Sequence, residues 1–204
     1  MIITRPNHDE ATKYLFRWSQ KVIATAKKLK IPVIDLKGKR ANRKELTKSV
    51  KKTSPDFIFI NGHGNDDLVT GYNNQILVKV GDNEKLFSGA IVYSRSCRSA
   101  AKLGKSCVKK GTHAYLGYTD DFIFYNDRVA KFLKPSNLIA TSLLKGDTAG
   151  EADQKAKGAF FKIIQELKAT GVAEKERELI PYLQWDMEKQ VCLGDNNARL
   201  KNRI

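Results

Sequence analysis

The chain has 204 residues, 41% hydrophobic and 29% charged, with a formal net charge of +15. That length supports one substantial core, and the composition places the chain with globular proteins rather than disordered or membrane-embedded ones. The charge favours anionic partners, including weak non-specific contact with nucleic acid, but the basic residues are scattered as on solvated helix faces and form no single stripe.

Short β-rich runs alternate with longer stretches at helical spacing, which is the pattern of an α/β sheet with crossover connections. Residues 2–4 form a first strand, and Met1–Asn7 breaks too early for a secretory signal, so a cytosolic setting is expected. Residues 10–29 carry Tyr14, Leu15, Trp18, Val22, Ile23 and Ala26 along one helical face. A second strand follows at 32–36, and then a helix that Asn42 caps and Pro55 closes off. Residues 57–61, Phe-Ile-Phe-Ile-Asn, are apolar enough for a strand buried on both faces. Beyond a turn at 72–74, residues 76–80 add a small hairpin outside the main sheet.

Residues 89–94 form another buried strand, 100–109 a helix closed by Gly111, and 114–118 the next strand. Helices are expected at 127–133, 137–144 and 149–167, then a last apolar piece at 179–191 and a polar tail at 195–204. No repeat or linker divides the chain, so one domain over residues 1–204 is expected.

Functional groups of an open α/β sheet gather beyond the carboxyl ends of its strands. His63 follows strand 57–61 and Cys97 follows strand 89–94, so adjacent parallel strands would bring both to one edge. His113 precedes its strand and belongs to the opposite edge, whereas His8 shares the favoured edge as a rival base. Cys107 and Cys192 read as packing residues; three cysteines cannot all pair within one chain, and cytosolic thiols stay reduced. A thiol attacks as thiolate, and a nearby imidazole can take its proton and return it to a leaving amine. A helix starting just after Cys97 would favour the thiolate, and the N–H groups of Gly64 and Cys97 could form an oxyanion hole.

Apolar strand, His63-Gly64, second apolar strand, then Cys97 resembles the caspase-like cysteine peptidases of clan CD. The run 111–118 also resembles the strand after the nucleophile helix in their CHAT and gingipain-type prokaryotic branch. The likeness spans residues 2–167, with only the blocks around His63 and Cys97 specific. Arg95 and Ser96 before Cys97, and Ser99 in place of a glycine, depart from the caspase-proper signature, as does a His-to-Cys spacing shorter than about 50 residues.

The resemblance implies a three-layer α/β fold with a mostly parallel, about six-stranded sheet flanked by helices. It also implies a cysteine endopeptidase acting on protein or peptide substrates through His63 and Cys97, without metal or organic cofactor, and without membrane partners. Asp66, Asp67, Asp120 and Asp121 fall in loops at the expected edge and suit a pocket for a basic P1 residue, while Arg5 offers the opposite preference. The competing reading is an inactive caspase-like module whose basic surface binds nucleic acid or an acidic partner. A regulatory partner protein is compatible with either.

Zinc held by Cys97, Cys107 and His113 lacks paired-ligand spacing, a phosphatase would need its arginine further from the cysteine, and the glycines complete no nucleotide fingerprint.

Overall fold

The computed structural model describes residues 1–201. In chain order the elements are β1 (Ile2–Arg5), α1 (Glu10–Trp18), α2 (Gln20–Lys28), β2 (Ile34–Lys37), α3 (Arg43–Thr53), β3 (Phe57–Asn61), β4 (Leu68–Thr70) and β5 (Ile76–Lys79). Then come β6 (Ile91–Arg95), α4 (Leu103–Lys109), β7 (Ala114–Tyr118), α5 (Val129–Leu144), α6 (Ala149–Lys168), α7 (Glu174–Arg177), α8 (Ile180–Lys189) and β8 (Gln190–Gly194).

β1, β3, β6 and β7 are buried at every residue, which fits strands covered on both faces. They form a six-stranded sheet in the order β2-β1-β3-β6-β7-β8, parallel except for β8, which pairs antiparallel with β7. Strand side chains alternate between faces. Ile3, Phe57, Phe59, Ile91, Tyr93 and Leu116 therefore join one core with Leu15 and Val22 of α1 and α2, Ile139 of α5 and Ala152 of α6. Ile2, Ile58, Ile60, Val92 and Tyr115 point the other way, into a second core with Leu46 of α3, Leu103 of α4 and Val69 and Val78 of the β4–β5 hairpin. Burying each large apolar side chain stabilises by about 2 kcal/mol, so the strands position the site between two well-filled layers. Among the described residues, no helix is long and apolar enough to cross a membrane.

Several local expectations are revised. The single helix over 10–29 is broken at Ser19, whose hydroxyl bonds back to the Leu15 carbonyl and also receives the Arg95 guanidinium. The two helices around Pro135 are one, α5, because its largely buried surface packs on α2 and α6 and carries the chain through the missing N–H. Residues 179–191 hold both α8 and the start of β8. The expected polar tail is partly structural: Asp195 N–H bonds the His113 carbonyl, and Ala198 is buried and accepts from Ala149 N–H. The rest of that tail, residues 202–204, lies outside the described residues.

Candidate active site

β3 and β6 are in-register parallel neighbours with Asn61 opposite Arg95. Two residues beyond that last pair lie His63 and Cys97. The loop carrying His63 is fixed by the hairpin behind it: Thr70 N–H bonds the His63 carbonyl at 2.9 Å and Asn65 N–H the Leu68 carbonyl at 3.0 Å. Two glycines allow this close passage. A Cβ on Gly62 would stand 2.0 Å from the Thr70 carbonyl oxygen, and one on Gly64 would stand 2.7 Å from the Cys97 carbonyl oxygen. The two loops thus touch backbone to backbone, and among the described residues neither the Gly64 nor the Cys97 N–H donates to a backbone carbonyl.

The imidazole side is polar. His63 is half-exposed, and its Nε2 lies 2.7 Å from Asp9 Oδ2. Asp9 caps α1, accepting from Thr12 N–H at 2.8 Å. Partial burial pushes its carboxyl upward, but the Thr12 N–H, His63 and the Thr12 hydroxyl outweigh that and hold it down at about 2. An ionised Asp9 can only accept, so His63 Nε2–H is the donor of this pair, and in the neutral ring the lone pair lies on Nδ1. His8, the rival on sequence grounds, joins the same cluster, with Nε2 3.1 Å from Asp9 Oδ2 and its ring edge-on to Tyr72. His113 precedes β7 at the opposite edge, as its place in the chain suggests.

The thiol side is apolar. Cys97 is partly buried, its Sγ donating to the Phe122 carbonyl at 3.9 Å. Burial raises its pKa, and the charges of Asp121 and Asp186 add to the effect. The expected assistance from a helix N-terminus is absent: residues 97–102 are turns and α4 begins only at Leu103. Instead the chain turns at Arg98, in the left-handed region with φ 57°, and is sewn to the end of β7 by Arg98 N–H to the Asp120 carbonyl and Ala100 N–H to the Tyr118 carbonyl. The strap after β7 that carries Phe122 is held by α8, whose Asp186 accepts from Ile123 N–H at 2.9 Å and whose Trp185 donates to the Asp121 carbonyl at 2.9 Å. Asp186 is fully buried, and its other carboxyl oxygen has no hydrogen-bond partner. Burial lifts its pKa well above the carboxylate range, against the opposing effect of the Ile123 N–H.

Beneath both loops lies Arg95, fully buried. It bonds Asn61 of β3, Ser136 and Asn137 of α5, Ser19 and the Leu15 carbonyl, and lies over the Phe59 ring. Burial lowers its pKa.

The residues expected to bind substrate divide. Arg5 is 4% exposed and its guanidinium is occupied by Asp35, Gln20 and the Phe16 carbonyl, which makes it part of the framework. Asp66 is paired with Arg98 at 2.7 Å and lies 3.9 Å from Lys102, which also approaches Asp67 at 3.7 Å, so the acidic charge of that loop is locally compensated. Asp120 is half-buried and its carboxylate accepts from Asp121 N–H, while Asp121 is exposed at the rim beside Cys97. Cys107 is buried in the second core and Cys192 lies on β8; burial pushes both thiols to about 12.

A cleft of about 660 Å³ lined by Val50, Pro55, Ile58, Leu86 and Ala90 lies at the amino ends of β3 and β6, on the opposite edge from His63 and Cys97.

Sequence reading missed Asp9 and Asp186. A signal existed for Asp9, because Asp9 followed three residues later by Thr12 is a helix-capping pattern immediately after His8. Nothing local marks Asp186, whose role arises from α8 folding back over the strap.

A scan against family models finds no match, and none of the curated proteins matches in sequence. Among solved structures the chain is similar to the crystal structure of the Arg-specific cysteine proteinase gingipain R, with a TM-score of 0.62 at 10% identity. The alignment covers 98% of this chain and 46% of that one, so the chain spans less than half the length of that relative. At that identity the likeness concerns the fold alone: the chain adopts a caspase-like α/β fold, a mostly parallel six-stranded sheet flanked by helices.

Proposed function

We propose that the protein is a cysteine endopeptidase in which Cys97 is the nucleophile and His63 the proton carrier. The observation that carries this reading is the seam between the β3 and β6 loops, where His63 and Cys97 follow in-register strands and Gly64 lies against the Cys97 carbonyl. With Nε2–H committed to Asp9, the Nδ1 lone pair of His63 receives the thiol proton when substrate draws the two groups together, since catalytic contacts tighten from a looser resting geometry. The sulfur then attacks the peptide carbonyl, and the Gly64 and Cys97 N–H groups stabilise the oxyanion by about 3 kcal/mol per donor. His63 delivers its proton to the departing amine as the C–N bond breaks, and water hydrolyses the thioester.

The buried, raised-pKa thiol fits an enzyme whose resting state is the neutral pair and whose thiolate forms only on binding. The exposed Asp121 at the rim supports preference for a basic P1 residue through a charge-assisted hydrogen bond, with Asp120 holding the local backbone. The Arg specificity of gingipain R, which shares this fold, points the same way.

Fluorogenic peptides varying only P1 among Arg, Lys, Asp, Asn and Leu test both layers. Arg or Lys should be cleaved fastest, Cys97→Ala should remove at least about 10³-fold of the activity, and Asp121→Asn should reduce kcat/KM for basic P1 selectively. Full hydrolysis by Cys97→Ala, or iodoacetamide labelling that does not favour Cys97 over Cys107 and Cys192, would overturn the assignment.

A further inference from the structure

Two of the three histidines of the chain meet one carboxylate at the carboxyl edge of the sheet. One donor atom each from His8, Asp9 and His63 lies within 4.8 Å of the others. The Nε2 atoms of His63 and His8 stand 2.7 and 3.1 Å from Asp9 Oδ2, and His8 Nε2 is 3.2 Å from Asn74 Oδ1. Nitrogen and oxygen ligands about 2.0–2.2 Å from a tetrahedral Zn²⁺ lie roughly 3.3 Å from one another. Both histidine–Asp9 pairs are near that spacing, the His63–Asp9 pair needing to open by about half an ångström, and the donor atoms of the two imidazoles lie within 4.8 Å of each other.

The ligands are also pre-positioned. The His8 side chain is only 9% exposed and packs edge-on against Tyr72, while Asp9 is fixed by its cap on Thr12. Two imidazoles and a carboxylate suit borderline ions such as Zn²⁺ better than hard ions such as Ca²⁺ or Mg²⁺, which prefer all-oxygen shells.

We propose that His8, Asp9 and His63, with Asn74 beside them, form an inhibitory Zn²⁺ site; the inhibition rests on the peptidase reading above, whereas the binding does not. The consequence for His63 follows from its tautomer. In the absence of zinc, Asp9 holds the proton on Nε2 and leaves Nδ1 as the base. Coordination of Zn²⁺ uses the Nε2 lone pair, so the single proton of the neutral ring must move to Nδ1, and the atom that should accept the thiol proton becomes a donor. Zinc would switch the enzyme off by reversing the tautomer, without touching Cys97.

Titration of untagged Cys97→Ala protein with Zn²⁺ alone, followed by calorimetry, tests the site independently of any activity. One equivalent should bind, and His8→Gln and Asp9→Asn should each weaken binding by at least about 10-fold. Long-range ¹H–¹⁵N spectra of the histidines should show His63 changing from Nε2–H to Nδ1–H on Zn²⁺ addition while His113 stays unchanged. In the wild type, inhibition of peptide hydrolysis should follow the binding curve and be reversed by chelator. Binding that survives both His8→Gln and Asp9→Asn, no saturable binding below about 100 µM Zn²⁺, or an unchanged His63 tautomer would overturn the proposal. A wild type that binds Zn²⁺ as described yet hydrolyses no peptide would instead overturn the peptidase reading and leave the metal site standing.

Discussion

The two halves of the candidate site are built from opposite materials. On the His63 side, a capped helix start, two imidazoles and a carboxylate held at about 2 make a polar, charge-retaining corner. On the Cys97 side, the thiol lies under the Phe122 strap and above a buried Asp186 whose pKa is raised, in surroundings that resist charge. The difference places opposite electrostatics at one sheet edge: hydrogen-bond donors stabilise a charged carboxylate beside His63, whereas burial disfavours charge on the Cys97 thiol. It also separates two kinds of carboxylate that look alike in sequence. Asp9 is ionised because three donors converge on it, whereas Asp186 has one N–H and an otherwise apolar burial site.

The largest expected effect comes from removing the support common to both halves. Arg95→Met should lower stability by about 3–4 kcal/mol, because it strands buried acceptors on β3, α5 and the α1–α2 junction. Urea unfolding measures this, and a loss under about 1 kcal/mol would show that the two halves are held independently. Gly64→Ala attacks the seam between them. With its new Cβ 2.7 Å from the Cys97 carbonyl oxygen and 3.2 Å from the Leu68 carbonyl oxygen, it should push the loops apart, cutting kcat/KM by about 10²-fold and lowering the unfolding midpoint as well. An unchanged rate would mean that the loops need not touch.

Asp9→Asn sharpens the polar half. Its folded pKa, about 2, lies below the ordinary 3.8, so the native state binds fewer protons there and the associated stability is present above about pH 4 and lost as pH falls toward 2. The substitution keeps a good helix cap, and it should remove about 1 kcal/mol of that acid-sensitive stability after solvent screening, read from urea midpoints between pH 2 and 5. Asp186→Asn tests the apolar half with the opposite sign. A raised folded pKa means that stability falls as pH rises past the unfolded carboxylate range, so the variant should show a small gain in Tm at pH 7 and a flatter pH dependence. A lower Tm would show that the Asp186 carboxylate is ionised and paired in the native state.

Much of this was legible in order along the chain. The fully apolar run 57–61 could only be a doubly covered strand, and the similar strand at β6 followed from the same rule. Two such strands in parallel put the residues after them, His63 and Cys97, at one edge and His113 at the other. The cap at Asn42 was equally local, since one side-chain oxygen and one N–H three residues on decide it.

What the sequence could not decide were the encounters between distant segments. Whether Arg5 faced substrate or Asp35, and whether Asp66 was free or paired with Arg98, depended on side chains some thirty residues apart meeting across the fold. The helix expected immediately after Cys97 gave way to turns because backbone bonds to the end of β7 claimed those residues first. Periodicity and capping are local properties, so the residue sequence alone determined the strands, their covered faces and the sheet edge that carries His63 and Cys97. The charge states there, Asp9 ionised beside His63 and Asp186 buried near Cys97, depend on which donors and which apolar walls close in from elsewhere, and only the tertiary structure brought them together.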